Sequence, residues 1–269
     1  MLYLYDSLIG LRLVLRARYV WLVGCSLLVL VMAVVLAALF SGRQPATVAL
    51  DVGLSVIRLL LPLVLVLLIQ ELLSREFDRR YFLNSLTYPR PRHSLLLGRF
   101  LLVVGLALGQ LLIMSLILAL LVGLISNGYK QGTPVALDHY YLIVVGFIGV
   151  DVVVLASLAT LLAVVASTHS FVLIGTFGFM LVARSYGSIV ELLGNNSELV
   201  YGFEGYRTSL GALGYLLPDL GALDVRMLAL YGKAEFLPAD WPLLLLSSLG
   251  YAMALLTLAV WALQRKRFN

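Results

Sequence analysis

Charge is scarce in this chain. Only 12% of its 269 residues are Asp, Glu, Lys or Arg, and 62% are hydrophobic, whereas soluble domains carry roughly 25% charged residues. So few charges cannot cover the surface of a water-soluble globular domain, which excludes that class. Several apolar runs also exceed the roughly 18 to 20 residues that cross a bilayer. The sequence therefore predicts an all-α integral membrane protein.

Cysteine, histidine and the short catalytic motifs are also rare or missing. The one cysteine, Cys25, lies inside an apolar run, so no disulfide can form within the chain. His93, His139 and His169 lie far apart without ligand spacing, and we predict no metal site. The sequence has no GxxxxGK[ST] loop, no HExxH and no GxSxG. We therefore expect no catalytic residue and no cofactor bound by this chain, and the energy for any work would come from another chain or an ion gradient.

Six apolar runs are long enough to be transmembrane helices. The fifth is expected to end early, because Arg184 interrupts it and its glycines weaken the helical signal. Leucines and arginines alternate within residues 1–18, as is typical of a helix lying in the membrane interface, although a plain cytoplasmic extension would also explain them. We interpret residues 1–269 as a single transmembrane domain. The predicted spans are residues 19–40, 47–73, 95–125, 139–166, 170–186 and 241–263.

The positions of the basic residues predict the orientation. With the N-terminus inside, the cytoplasmic segments hold about twice as many Lys and Arg as the opposite side. Both termini are therefore expected in the cytoplasm. As a separate expectation, we predict that the membrane is a bacterial cytoplasmic (inner) membrane. Because the arginines lie at the ends of apolar runs and not along one polar face, membrane topology explains them and nucleic-acid binding is not indicated.

Residues 184–240 form the only long external segment. Its acidic residues outnumber its basic ones, and glycines and prolines interrupt short apolar helical patterns. This mixture predicts short external helices between spans five and six that dip back toward the membrane, where the surrounding protein protects them. The aromatic residues of the segment could contact a periplasmic protein, although an interfacial aromatic belt explains them as well.

Two ionisable residues lie deep inside predicted spans. Arg58 in the second span and Asp151 in the fourth fall at about the same depth, roughly 16 to 18 Å from the external end. Equal depth and opposite sign predict an ion pair, which Gln110 of the third span could join by a hydrogen bond. The pair either belongs to a translocation path or locks two helices together. On this interpretation, exchanging the two charges should partly rescue the single substitutions.

Residues 74–93 concentrate charge between the second and third spans. Glu71 lies at or near the interface, and the chain continues as a short helix before Pro89 and Pro91 break it. An ordinary positive-inside loop would explain the arginines but not the acidic and aromatic residues among them, which favour a docking surface for another protein. The predicted docking residues are Arg75, Glu76, Phe77, Asp78, Arg79, Arg80, Tyr81, Leu83, Leu86 and Arg92.

The pattern E…RE.DRR..L.SLT.PRPR…LLGRF, from Glu71 to Phe100, resembles the loop between spans two and three in permease subunits of type-2 ABC exporters. Arg99 stands where that family usually has Lys, and Asn84-Ser85-Leu86 where it commonly has Leu-Leu-Ser. The resemblance extends to the topology and to Leu217-Pro218-Asp219. It implies a membrane subunit that dimerises with a second permease copy, contacts membrane lipids and docks a separate ATPase subunit, which would bind ATP and Mg. Residues 75–86 would be the cytoplasmic coupling helix.

Two other classes of function stay open at this point. A secondary transporter or channel driven by an ion gradient would use Arg58, Asp151 and Glu71 as a relay. An intramembrane enzyme or an assembly scaffold would need paired catalytic residues or a partner, which the sequence does not indicate. The sequence does not select a substrate.

Overall fold

The computed structural model describes residues 19–74, 92–128, 135–166, 168–195 and 217–265. Every regular element in these ranges is a helix, and six of the helices are long and apolar enough to cross a membrane, as predicted. The predicted interfacial helix at residues 1–18 lies outside the described residues, as do residues 75–91 of the predicted docking segment at 74–93. The helices are α1 (Tyr19–Phe40), α2 (Pro45–Ile69), α3 (Arg92–Gly128), α4 (His139–Val165), α5 (His169–Asn195), α6 (Arg226–Tyr231) and α7 (Trp241–Arg265).

A tight turn joins the first two spans. Gly42 adopts a left-handed conformation with φ of 65°, which glycine reaches without a steric penalty. Pro45 then occupies the first turn of α2, where its missing N–H removes no helical hydrogen bond. Because the connection is so short, α1 and α2 run antiparallel, and they pack against each other.

The fourth span lies at the centre of the bundle. α4 is the most buried of the six spans and packs against α2, α3, α5, α6 and α7. α1 is the most exposed span, and its outward leucines and valines are suited to contact lipid. The centre of the bundle is therefore the place where a polar side chain needs a protein partner.

The bundle has two distinct ends. We call the end that carries residues 41–44, 135–138 and 226–240 the distal end, and the end where α2 finishes and α5 begins the proximal end. At the proximal end α2 continues into one turn of π-helix, Gln70–Ser74. The side-chain amide of Gln70 donates a hydrogen bond of 2.8 Å to the carbonyl of His169 at the start of α5. This contact joins the ends of α2 and α5.

The fifth span is longer than the sequence predicts. The helix α5 runs from His169 to Asn195, and its part that could span a membrane ends at Ile189, three residues beyond the predicted end at residue 186. Arg184 therefore lies within the helix and does not end it. An arginine is expected to end a membrane span because its charge normally needs water. Here Asp151 contacts the guanidinium of Arg184, and the helix continues past it.

Short helices occur between the last two spans. α6 spans Arg226–Tyr231, and a 3₁₀ turn follows at Ala234–Phe236. α6 packs against α4 and α2, and the N–H of Ala136 donates to the carbonyl of Ala229 at 3.0 Å. Leu228, Ala229 and Leu230 are buried. This part of the chain is therefore folded onto the bundle.

Candidate functional site

The structure brings Arg58 and Asp151 together. Arg58 is the fourteenth residue of α2 and Asp151 the thirteenth of α4, so each lies about 18 to 20 Å from the distal start of its helix. Nη2 of Arg58 lies 3.7 Å from Oδ2 of Asp151. Both residues are buried, with 8% and 1% of their surface exposed. The ion pair that their equal depth and opposite charge predicted is therefore present in the structure.

Asp151 also pairs with a second arginine. Nη2 of Arg184, from α5, lies 2.5 Å from the same Oδ2 of Asp151. The guanidinium of Arg184 also donates hydrogen bonds of 3.3 Å to the backbone carbonyl of Arg58. The carboxylate of Asp151 thus contacts two arginines. These contacts join α2, α4 and α5 near the middle of the bundle.

The contacts continue toward the distal end. Nη1 of Arg58 lies 2.6 Å from Oδ1 of Asp224, and Oδ2 of Asp224 lies 3.1 Å from Nη2 of Arg226. Nη1 of Arg226 contacts Oδ1 of Asp51 at 3.0 Å and Oγ of Ser55 at 2.7 Å. The signs alternate from one partner to the next. We call these residues the ionic network: Asp51, Arg226, Asp224, Arg58, Asp151 and Arg184.

Burial differs along the network. The Asp151 side chain is 2% exposed and the Arg58 side chain 9%, whereas the Arg226 and Asp51 side chains are 36% and 47% exposed. Removing one partner from a buried pair leaves a charge without water or a counterion, while an exposed pair contributes little. The buried half of the network therefore contributes more to holding the helices together than the exposed half does.

Residues 217–226 fold into the bundle beside the network. Leu220, Leu223 and Val225 are buried, and the carbonyl of Leu220 accepts a hydrogen bond of 3.4 Å from Nη2 of Arg58. Oδ1 of Asp219 accepts a hydrogen bond of 3.1 Å from the N–H of Ala222. Contacts with protein therefore satisfy polar groups of this non-helical stretch, as a chain that returns toward the membrane requires.

A polar cavity of about 630 Å³ lies between α2, α5 and residues 217–226. Ser55 and Ser188 in its wall are exposed, so the cavity reaches the protein surface. Small residues, among them Gly187 and Gly221, leave the space open. The charged side chains in its wall are Arg58, Arg184, Asp219, Asp224 and Arg226.

Two predicted polar residues lie elsewhere. The side-chain amide of Gln110 donates to Oγ of Ser26 on α1 at 3.0 Å and approaches Sδ of Met114 at 3.9 Å. The prediction that Gln110 joins the Arg58 and Asp151 pair was wrong, because its amide has a partner on α1. Glu71 lies in the π turn at the proximal end.

The predicted docking residues are mostly beyond the described ranges. Arg92 is the first residue of α3. Arg75 and the rest of the group up to Leu86 lie outside the residues that the structure describes. Their role remains a prediction.

Sequence reasoning missed four members of the network: Asp51, Arg184, Asp224 and Arg226. Each lies near the end of an apolar run or in the acidic segment, where a charge normally contacts water. The excess of acids over bases in residues 184–240 was the available signal. This excess did not identify which acidic residue contacts Arg58, because the contact depends on how the segment folds back onto the bundle.

The six apolar helices, three of which meet at the buried half of the ionic network, define a polytopic α-helical membrane protein. Residues 14–185 match the family model described as ABC-2 family transporter protein. The match covers more than half of the chain, and the chain belongs to this family, whose members are the membrane components of ABC transporters and carry no ATPase of their own. No characterised protein shows significant sequence similarity to it. The matched range includes Arg58, Asp151 and Arg184, while Asp224 and Arg226 lie beyond it.

Proposed function

We propose that this chain is the permease subunit of an ATP-driven exporter in a bacterial cytoplasmic membrane. It pairs with a second permease copy and with a separate ATPase subunit, which binds ATP and Mg. The observation that carries the proposal is the family match over residues 14–185, a range that includes the predicted docking segment. Both termini and that segment lie on the cytoplasmic side, and the distal end faces outward, where a periplasmic protein could bind.

Residues 75–86 receive the movement of the ATPase in this proposal. They connect the proximal end of α2 to α3, and α2 is joined to α5 there by the Gln70 and His169 hydrogen bond. Deeper in the bundle, the ionic network joins α2 and α5 again through Asp151 of α4. A displacement of the docking segment would therefore move α2 and α5 together and would reach the distal cavity.

Loss of the docking surface tests the proposal. Phe77→Ala combined with Arg80→Glu removes an aromatic contact and reverses one charge, so the ATPase should no longer co-purify with the tagged chain. The measurement is vanadate-sensitive ATP hydrolysis in the material purified in a mild detergent, together with the amount of ATPase recovered. We expect a decrease of at least about tenfold, since contacts of this kind contribute roughly 1 to 3 kcal/mol each.

The matched control is Arg43→Glu, which makes the same charge reversal at an exposed position of the distal end. This variant should retain the ATPase. Equal loss in both variants, or full retention in the Phe77 and Arg80 variant, contradicts the docking role. Transport that continues without any ATPase and stops when the proton gradient is collapsed would favour the alternative, an ion-gradient-driven transporter or channel that uses Arg58 and Asp151.

A further inference from the structure

One carboxylate in the wall of the distal cavity stands outside the ionic network. The network itself contains three arginines and three aspartates, so their charges cancel. Asp219 also lines the cavity, and no basic side chain in the described part of the chain forms an ion pair with it. Two aspartates of the network, Asp51 and Asp151, do not line the cavity, and they offset arginines that do. With the whole network counted, Asp219 adds one negative charge that no arginine offsets.

The backbone holds this carboxylate in place. Oδ1 of Asp219 accepts the N–H of Ala222 at 3.1 Å, and Oδ2 faces Gly187 of α5. A Cβ atom at Gly187 would lie 2.7 Å from Oδ2, so only glycine leaves room for the carboxylate there. A Cβ at Gly221 would likewise lie 2.6 Å from the carbonyl of Arg184. Asp219 is thus positioned before any ligand arrives.

The surroundings of Asp219 select the kind of ligand. Within the described ranges no group of three or more His, Cys, Asp or Glu side chains could hold a metal ion. The arginines of the wall are each paired with an aspartate, which weakens their attraction for an anion. A cavity of about 630 Å³ has the size of a small-molecule site, and the hydroxyl of Ser188 can accept a hydrogen bond.

From these observations we infer that the distal cavity is a binding site for a primary ammonium group, which pairs with Asp219. A carboxylate that already accepts one backbone N–H retains lone pairs for an ammonium donor, and a charge-assisted hydrogen bond is the strongest contact it can make. The ammonium could belong to a free polar amine or to the headgroup of phosphatidylethanolamine. The inference concerns binding alone and does not depend on ATP-driven transport.

Equilibrium dialysis of the purified full chain in a neutral detergent tests the site, with radiolabelled spermidine as the probe. The wild-type chain should bind spermidine saturably. Asp219→Asn should weaken binding on the order of tenfold, because the lost contact is a hydrogen bond between charged groups. Gly187→Ala should weaken it as well, since the added methyl displaces Oδ2 without removing a charge.

Asp240→Asn is the control, because it removes the same charge from an exposed position at the distal end. Its affinity for spermidine should equal that of the wild type. Two unlabelled competitors then identify the source of the ammonium group. Displacement by dihexanoyl phosphatidylethanolamine, but not by dihexanoyl phosphatidylcholine, supports the site and indicates a lipid headgroup; displacement only by amines supports the site and indicates a free amine.

Three results would overturn the inference. The first is the lack of saturable spermidine binding to the wild-type chain. The second is binding that Asp219→Asn leaves unchanged or that Asp240→Asn weakens equally, which would show general charge attraction. The third is saturable binding of inorganic phosphate that displaces spermidine, which would make the cavity an anion site. These binding measurements need no ATPase subunit, so a failure of the ATPase to co-purify would not change their interpretation.

Discussion

Asp151 contacts arginines from two different helices, Arg58 of α2 at 3.7 Å and Arg184 of α5 at 2.5 Å. Its second oxygen, Oδ1, is buried and has no hydrogen-bond partner among the described residues. A single buried carboxylate therefore contacts two arginines, of which Arg58 also pairs with Asp224. The charge balance at the centre of the bundle depends on this residue.

We expect Asp151→Asn to destabilise the protein by about 3 to 5 kcal/mol, because it leaves Arg184 without its carboxylate partner and Arg58 with Asp224 alone. A denaturant titration of the purified chain, followed by tryptophan fluorescence, measures the change. Asp51→Asn removes an aspartate from the exposed end of the same network, where the side chain is 47% exposed. It should cost less than about 1 kcal/mol. Equal effects of the two substitutions would contradict the difference in burial.

The network also changes what a charge exchange should do. With Arg58 and Asp151 as an isolated pair, the exchange would restore the contact, as the sequence alone suggests. In the structure, an aspartate at position 58 would face Asp224, and an arginine at position 151 would face Arg184. The double variant Arg58→Asp/Asp151→Arg should therefore be no more stable than Asp151→Asn in the same titration. Recovery toward wild-type stability would show that the two residues act as a closed pair.

The contact between Arg58 and Asp151 could be predicted because depth along a helix is additive at 1.5 Å per residue. Two helices that both start at the distal end carry the two charges at nearly the same distance from it. The same counting could not identify Asp224, whose position depends on how a non-helical stretch folds back. Counting also led to the wrong contact for Gln110, because depth does not specify which face of a helix a side chain occupies.

At the scale of elements, residues 217–226 are held by two kinds of contact. Leu220 and Leu223 are buried among apolar side chains, and Asp224 and Arg226 pair with charges on α2. The six spans could be predicted because the length of an apolar run is written directly in the sequence. This stretch could not, because no periodic pattern indicates whether a mixed segment enters the bundle or remains in water.

Cysteine labelling tests whether the ion pairs hold this stretch. In a Cys25→Ala background, Leu220→Cys should react slowly with a maleimide in detergent, because residue 220 is fully buried. Asp224→Asn should accelerate the labelling by about tenfold, since it weakens the contacts with both Arg58 and Arg226. Phe236→Cys, at an exposed position, should react rapidly in both backgrounds. An unchanged rate at residue 220 would show that apolar packing alone holds the stretch.

For the whole molecule, the predicted orientation has a direct test. In intact cells that express the Cys25→Ala chain, Arg43→Cys should react with a membrane-impermeant maleimide, because the distal end is proposed to face outward. Arg80→Cys should react only after the membrane is permeabilised. The opposite labelling pattern would invert the topology, and it would remove the proposed docking segment from any contact with a cytoplasmic ATPase.

The sequence resemblance and the family match agree on the same family, and the match covers residues 14–185. The residues that carry the resemblance at motif level, from Glu71 to Phe100, lie close together in the chain. The distal cavity depends on residues from α2, α5 and the stretch after α5, which are distant in sequence. The distal cavity could therefore be identified only in the folded structure.

The alternation of charges in the ionic network bears on the membrane potential. Moving one elementary charge across 100 mV changes the free energy by about 2.3 kcal/mol. α2 contributes Asp51 and Arg58, residues 217–226 contribute Asp224 and Arg226, and α4 and α5 contribute one opposite charge each. Displacing α2, or moving α4 and α5 together, therefore shifts no net network charge through the electric field. As a result, the network adds no gating charge to such movements.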